Sequence, residues 1–240
     1  MRRGSIVALL GIGLVAGGVA TAVALIPTWL PVEASRQAGR TAFLFWVVIG
    51  ICIFIFAIVA AVMAYAITHF RAAPDDLEDG PSIHGHTGLE ITWTAIPLAI
   101  VTVIAIASTI VLTRNEALGA DPFHIDVTAQ QFTFTFSYPE AGNATSPVLR
   151  LPVNRSIVLD MRALDVIHSV FVPEFAVKED IVPGLVTHLN VTPDRVGTYA
   201  LECTELCGLG HSLMRTQAIV MTDAAFDTWL AHQKAAVSAR

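Results

Sequence analysis

Two long stretches without a charge constrain this chain more than any other feature. Thr41 to Thr68 and Ile91 to Thr113 run for 28 and 23 residues without Asp, Glu, Lys or Arg. About 20 apolar residues suffice for a helix to cross a bilayer. Trp46 and Tyr65 stand near the two ends of the first run, where interfacial aromatics anchor a span. Pro97 falls in the first turns of the second run, where a missing N–H is better tolerated than in mid-helix. The composition agrees: charged residues make up 14%, against about 25% in soluble proteins. A membrane class follows. The net charge of −6 points away from nucleic acid as a partner.

Met1-Arg2-Arg3 precedes a third uncharged stretch, Gly4 to Val32, and then Val32-Glu33-Ala34-Ser35. This is the pattern of a secretory signal cut after Ala34, or of a retained helix. Both readings stand, because the stretch exceeds the roughly 7–15 apolar residues of a signal peptide. The expected organisation is a signal or retained helix over 1–35, a transmembrane helix hairpin over 36–113, and an outer domain over 114–240. Arg71 to His86 is rich in Pro, Gly and acids and reads as a solvated connection, with His84 and His86 in it. Keeping Arg2 and Arg3 in the cytoplasm puts everything after Arg114 outside. Arg36 and Arg40 then also lie outside, against the usual bias. Cys52 reads as a small buried hydrophobe within its apolar run.

From Ala120 the pattern shifts to short alternations. Phe132-Thr-Phe134-Thr-Phe136-Ser-Tyr138 is strict period two, a half-buried strand. Pro139 and Ala141 to Pro147 read as a loop. Ile157, Leu159 and Met161 alternate with polar residues, and further strands are expected near 186–191, 198–202 and 217–221. His124 and His188 read as surface or strand histidines. Short strands with Pro and Gly turns predict a Greek-key β-sandwich. Asp223 resembles an N-cap for a short closing helix carrying Phe226, Trp229 and Leu230. The fold class is therefore membrane α followed by β.

One segment concentrates the chemistry: Glu202-Cys203-Thr-Glu205-Leu-Cys207-Gly-Leu-Gly-His211-Ser-Leu-Met214. Thiols, imidazole and thioether together suit copper. A second imidazole is available upstream in Asp165-Val-Ile-His168-Ser-Val-Phe-Val-Pro173. Two Cys and two His could also close a tetrahedral zinc site, but a thioether has no place in one. A Cys203–Cys207 disulfide leaves His168, His211 and Met214 unexplained. Two thiolates can bridge two copper ions, each of which then takes one imidazole.

This segment, with its Asp-Val-x-His-Ser and Val-Pro partner, resembles subunit II of the haem-copper cytochrome c oxidases. Gly88-Leu-Glu90-Ile-Thr-Trp93-Thr-Ala-Ile-Pro97 is similar to the stretch that opens that family's second helix. The resemblance implies a cupredoxin-like sandwich with a binuclear copper centre. Its ligands would be His168, Cys203, Glu205 through its carbonyl, Cys207, His211 and Met214. It implies a magnesium ion at the interface with the catalytic subunit, bound by the Glu205 side chain. Glu90 would stand at the start of a proton path. The partners implied are the haem-copper catalytic subunit I, other oxidase subunits and a c-type cytochrome donor. The setting is a bacterial-type plasma membrane, with the copper domain on the periplasmic side.

The chain departs from the family in one place. The family's aromatic strand reads Gln-Trp-Tyr-Trp, and its first Trp receives the electron from cytochrome c. Here Gln131-Phe132-Thr133-Phe134 stands instead, so Phe132 occupies the electron-input position without an indole. The outer domain from Arg114 holds fourteen acids against nine basic residues. That is a modest field for capturing a basic donor, and a tethered or supercomplexed donor is the expectation. No Cys-x-x-Cys-His motif is present, so haem would belong to other polypeptides. A copper-containing subunit of a nitric oxide reductase and a membrane-tethered copper chaperone are the alternative functions.

Overall fold

The computed structural model describes residues 3–71, 75, 80, 82 and 84–239. Arg2, read above as cytoplasmic, and much of the connection after Arg71 (72–74, 76–79, 81 and 83) lie outside the described residues. The chain forms two compact units, one of residues 1–30 and 43–109, the other of residues 31–42 and 110–240.

The first unit is helical. Helices α1 (Arg3–Leu25), α2 (Arg36–His69) and α3 (Thr87–Glu116) are each long and apolar enough to cross a membrane. Small residues let α1 and α2 approach closely. A Cβ added at Gly13 would stand 3.6 Å from the Ala61 Cβ, and one at Gly17 3.4 Å from that of Ala57. The Tyr65 hydroxyl donates to Ser5 Oγ at 2.8 Å. Helix α3 contains no buried residue. Pro97 lies deeper in its helix than expected, because α3 starts at Thr87. Cys52 is exposed on α2 and not buried as expected, and it lines an apolar cavity with Trp46, Ile49, Ile53 and Phe56.

The second unit is a β-sandwich of two five-stranded sheets. One has the order β3-β2-β1-β5-β8, formed by Ala144–Ser146, Thr133–Tyr138, Phe123–Gln130, Ile157–Ala163 and Thr187–Val191. The other has the order β4-β10-β9-β6-β7, formed by Leu149–Pro152, Arg215–Met221, Gly197–Cys203, His168–Val172 and Val177–Ile181. The β1–β5 and β4–β10 pairs are parallel and the remaining neighbours antiparallel. The inner faces alternate as period-two strands must, with Phe123, Ile125 and Val127 of β1 against Phe134, Phe136 and Tyr138 of β2 in one core. Helix α4 (Asp223–Ser238) closes the sandwich through Phe226 and Trp229, whose rings meet Phe123 and Tyr138 edge-on at 5.3 and 4.8 Å.

Local details differ from the sequence reading. Strand β2 starts at Thr133, so Phe132 stands in the turn before it and is 39% exposed. The alternation persists from Phe134 onward because only those rings face the other sheet. The stretch read as a loop after Pro139 contains strand β3. The N-cap of α4 is Thr222, whose hydroxyl accepts from the Ala225 N–H at 3.4 Å, and Asp223 is the first helical residue. Strands β1, β4, β6 and β7 were not anticipated; β7 (Val-Lys-Glu-Asp-Ile) has little apolar alternation to reveal it.

The residues just before α2 are stitched to the sandwich. The Ala34 N–H donates to the Glu174 carbonyl at 2.9 Å, and the Ala34 carbonyl accepts from the Asp194 N–H at 3.1 Å. Ser35 pairs with Pro193. Its hydroxyl donates to the Phe175 carbonyl at 2.8 Å and accepts from the Ala38 N–H at 3.0 Å, which caps α2. Replacing a Ser cap by Ala costs about 1 kcal/mol, and the buried Phe175 carbonyl also loses its donor. Ser35→Ala should therefore destabilise the chain by about 1–3 kcal/mol in equilibrium denaturation, with Ser35→Thr recovering most of it. An unchanged midpoint would show that this segment does not hold the sandwich.

Candidate metal centre

Three connections meet at one end of the sandwich: the β1–β2 turn, the β5–β6 loop and the long β9–β10 loop. The Leu164 N–H donates to the Ala129 carbonyl, joining the first two. The third is pinched shut by the Cys203 N–H donating to the Met214 carbonyl at 3.0 Å. Cys203 is the last residue of β9, opposite Val170 of β6. His168 opens β6 with its side chain fully buried.

Of the six residues singled out in the sequence, three have donor atoms grouped around the sulfur of a fourth, Cys207. Its sulfur lies 3.9 Å from Cys203 Sγ, 3.8 Å from Met214 Sδ and 3.7 Å from His211 Nδ1. The Glu205 carbonyl lies 3.3 Å from Cys203 Sγ. A ring nitrogen of His168 and both cysteine sulfurs lie within 4.8 Å of one another. Cys203, Cys207 and Met214 are buried, and both thiols are free. The disulfide alternative is therefore absent from this structure.

His168 shows what the cluster is built for. Its Nε2 meets Asp165 Oδ1 at 2.8 Å, while Nδ1 is buried with no hydrogen-bond partner. A carboxylate accepts only, so it holds the proton on Nε2 and leaves the Nδ1 lone pair free. An unpaired buried acceptor costs free energy, and a metal ion would satisfy it. Burial pushes the Cys207 thiol up to about 11, and the neighbouring Cys203 adds to the shift. Two buried thiols and an unprotonated imidazole nitrogen make a soft donor set that can hold copper.

Two residues outside the expected ligand set organise this end. Burial raises the Asp165 pKa, but hydrogen bonds from the Gln131 N–H, His168 and the Val166 N–H outweigh it and bring it to about 2. Gln131 Nε2 donates to the Cys207 carbonyl at 2.6 Å. The adjacent Phe132 ring lies on the loop between Cys207 and His211: a Cβ at Gly210 would stand 2.5 Å from Phe132 Cδ2. The sequence signal for both was their place in the quoted motifs, but spacing did not show that they meet. Trp229 packs on Tyr138, at the other end of β2 from this turn. His124 and His188 share Asp160 on the outer face of their sheet and take no part.

Comparison with known proteins agrees with this geometry. The family model for cytochrome c oxidase subunit II, periplasmic domain, matches residues 125–222, and that for the subunit II transmembrane domain matches residues 22–111. Cytochrome c oxidase subunit 2 of Synechocystis sp. is 30% identical over 84% of this chain and 75% of its own length. That of Thermostichus vulcanus is 30% identical over 94% of this chain and 86% of its own length. The chain belongs to the cytochrome c oxidase subunit II family. A solved periplasmic domain of subunit II from Bradyrhizobium japonicum is 25% identical, with a TM-score of 0.47, and covers 49% of this chain and 97% of that one.

Membership makes the chain the electron-accepting subunit of a haem-copper oxidase complex, an oxidoreductase assembly with a periplasmic cupredoxin-like domain. Neither a nitric oxide reductase nor a copper chaperone is needed to account for the cluster. Loss of a carboxylate that orients a ligating histidine typically weakens metal binding by about 10–100-fold. Asp165→Ala should do so here, read by competition with a copper chelator. Unchanged affinity would mean that Asp165 does not position His168.

Proposed function

We propose that His168, Cys203, Glu205 through its carbonyl, Cys207, His211 and Met214 hold a two-copper centre that receives electrons from a c-type cytochrome. The observation that carries this is the grouping around Cys207: the second thiol, the thioether and one imidazole all lie within 3.9 Å of its sulfur. His168 supplies the second imidazole and Glu205 the carbonyl. Two copper ions held by these donors would supply a one-electron carrier, and the fixed donors would limit reorganisation on oxidation.

The protein's part is to keep the donors fixed and dry. Asp165 sets the tautomer of His168, the Cys203 N–H and Met214 carbonyl clamp the loop ends, and Gln131 ties the Cys207 carbonyl to the Phe132 turn. Little reorganisation is then needed when charge changes. Phe132 is the electron-input position, lying half-exposed on the copper loop, with Leu206, Leu209 and Leu213 presenting an exposed apolar rim on the same loop. Glu205 is half-buried, and its carboxylate suits a hard magnesium ion at the catalytic-subunit interface.

Glu90 lies in the first turn of α3, where its Oε1 accepts from the His86 N–H at 3.2 Å. We assign it the start of a proton path. Residues 1–35 stay on the chain in this reading, because Ala34, the last residue before the expected cut, is buried and bonded through both backbone groups. Residues 36–113 form the hairpin and 114–240 the copper domain, in a bacterial plasma membrane.

Two variants of the assembled oxidase test this reading. Cys207→Ser should abolish the absorption and paramagnetic spectrum of the electron-sharing pair. Glu90→Ala should leave that spectrum and copper reduction intact while slowing oxygen consumption. An unchanged spectrum in Cys207→Ser would overturn the ligand assignment, and equal slowing of both steps in Glu90→Ala would overturn the proton role.

The donor follows from Phe132. Without an indole, and with only a modest acidic field, turnover should depend on a donor held nearby at high effective concentration. A freely diffusing basic cytochrome c should be oxidised slowly, and more slowly as ionic strength rises. Phe132→Trp should raise that soluble rate and leave turnover with the native donor unchanged. Wild-type oxidation of soluble cytochrome c as fast as of the native donor would exclude a tethered donor.

A further inference from the structure

Arg36 and Arg40 were expected on the outer side of the membrane, where basic residues are scarce, and the electron-transfer function gives them no role. The structure brings them together with two others. Within the sandwich unit, Arg36, Arg40, Arg114 and Arg155 line one cavity of about 440 Å³, and Asp121 is the single carboxylate residue on its wall.

The cationic groups are poorly compensated. Arg155 has Asp227 at 3.9 Å, but among the described residues Arg36, Arg40 and Arg114 form no ion pair. The site is also held in shape. Arg40 donates to the Arg114 carbonyl at 2.8 Å and to Asn115 Oδ1 at 3.3 Å. Gln37, buried on the cavity wall, accepts from the Thr192 N–H at 3.1 Å through Oε1, and its Nε2 points to the Asn115 and Asn190 carbonyls. Arg40 and Gln37 are thus tied to the backbone and Asn115 around them. What remains is an excess of positive charge in a concave site, which concentrates anions.

Guanidinium groups match phosphate oxygens as bidentate donors. The position selects the source of that phosphate. Arg36 and Arg40 lie in the first turns of α2 and Arg114 in the last turn of α3, where both helices leave their uncharged spans. That is the depth of lipid headgroups. The cavity falls within the range of about 300–1,000 Å³ typical of small-molecule sites. We infer that this four-arginine cavity binds the phosphate headgroup of an anionic phospholipid of the outer leaflet.

The test uses the assembled oxidase in nanodiscs of phosphatidylcholine with or without phosphatidylglycerol, with bound lipid counted by native mass spectrometry after extraction into mild detergent. Wild type should retain phosphatidylglycerol in preference to phosphatidylcholine. Each basic side chain beside an anionic headgroup is worth about a factor of five, so R36Q/R114Q should weaken that preference about thirtyfold. R36K/R114K should keep part of it, because the charges remain. An unchanged copper-centre spectrum in each variant shows that the sandwich is folded. If R36Q/R114Q does not assemble, the wild-type comparison decides, and equal retention of the two lipids overturns the inference. Equal phosphatidylglycerol retention by R36Q/R114Q and wild type also overturns it. Displacement of the lipid by millimolar inorganic phosphate, whatever its headgroup, would make the cavity a free-anion site instead. Loss of the catalytic subunit from R36Q/R114Q with lipid retention unchanged would assign the cavity to an acidic segment of that partner.

Discussion

The hydrogen bond from the Cys203 N–H to the Met214 carbonyl is the closure on which the metal centre depends. It carries the β9–β10 pairing, whose last pair is Glu202 with Arg215, one step further across the mouth of the loop. With the ends pinned, both thiols and the thioether point into one small buried volume, and His211 is carried over them by a single 3-10 turn, His211–Leu213. The loop adds little apolar surface of its own to the core; Leu206, Leu209 and Leu213 face outward. Its conformation therefore rests on the two strands beneath it and on polar ties from neighbouring connections.

Those ties run through Asp165. This carboxylate takes hydrogen bonds from two backbone N–H groups and from His168, and they outweigh the burial that would otherwise raise its pKa. One side chain thus couples the turn that carries Phe132 to the histidine that faces the thiols. Gln131 completes the link by reaching the Cys207 carbonyl. The turn that carries Phe132 and the donor cluster are thus parts of one hydrogen-bonded assembly.

The helical unit is organised differently. Its helices expose large apolar side chains over most of their length, and α3 buries none. Such surfaces are stable only against lipid or other membrane subunits, as befits one subunit of an oxidase complex. Among the described residues, α1 and α2 meet through Gly13 and Gly17 against Ala61 and Ala57 and through the Tyr65–Ser5 hydrogen bond. By contrast, the short segment before α2 belongs to the sandwich, held there by Ala34, Ser35 and Gln37.

The sequence by itself determined the membrane spans, the sandwich and the donor types. Each rests on local pattern: uncharged length, period-two alternation, and soft ligands at short spacing. The cap of α4 was misplaced by one residue because Thr222 and Asp223 have similar capping chemistry, and only backbone geometry distinguishes them. Phe132 could not be separated from the strand it precedes, since its alternation continues that of Phe134 and Phe136. Tertiary structure alone decided which groups meet across long separations in the chain. Gln131 meets Asp165 and Cys207 because three strand connections end at the same end of the sandwich. Arg36, Arg40, Arg114 and Arg155 share a cavity because the start of α2 is bonded to the sandwich. Neither meeting leaves a periodic trace in the sequence, because side-chain hydrogen bonds and charge clusters between distant segments impose no spacing along the chain.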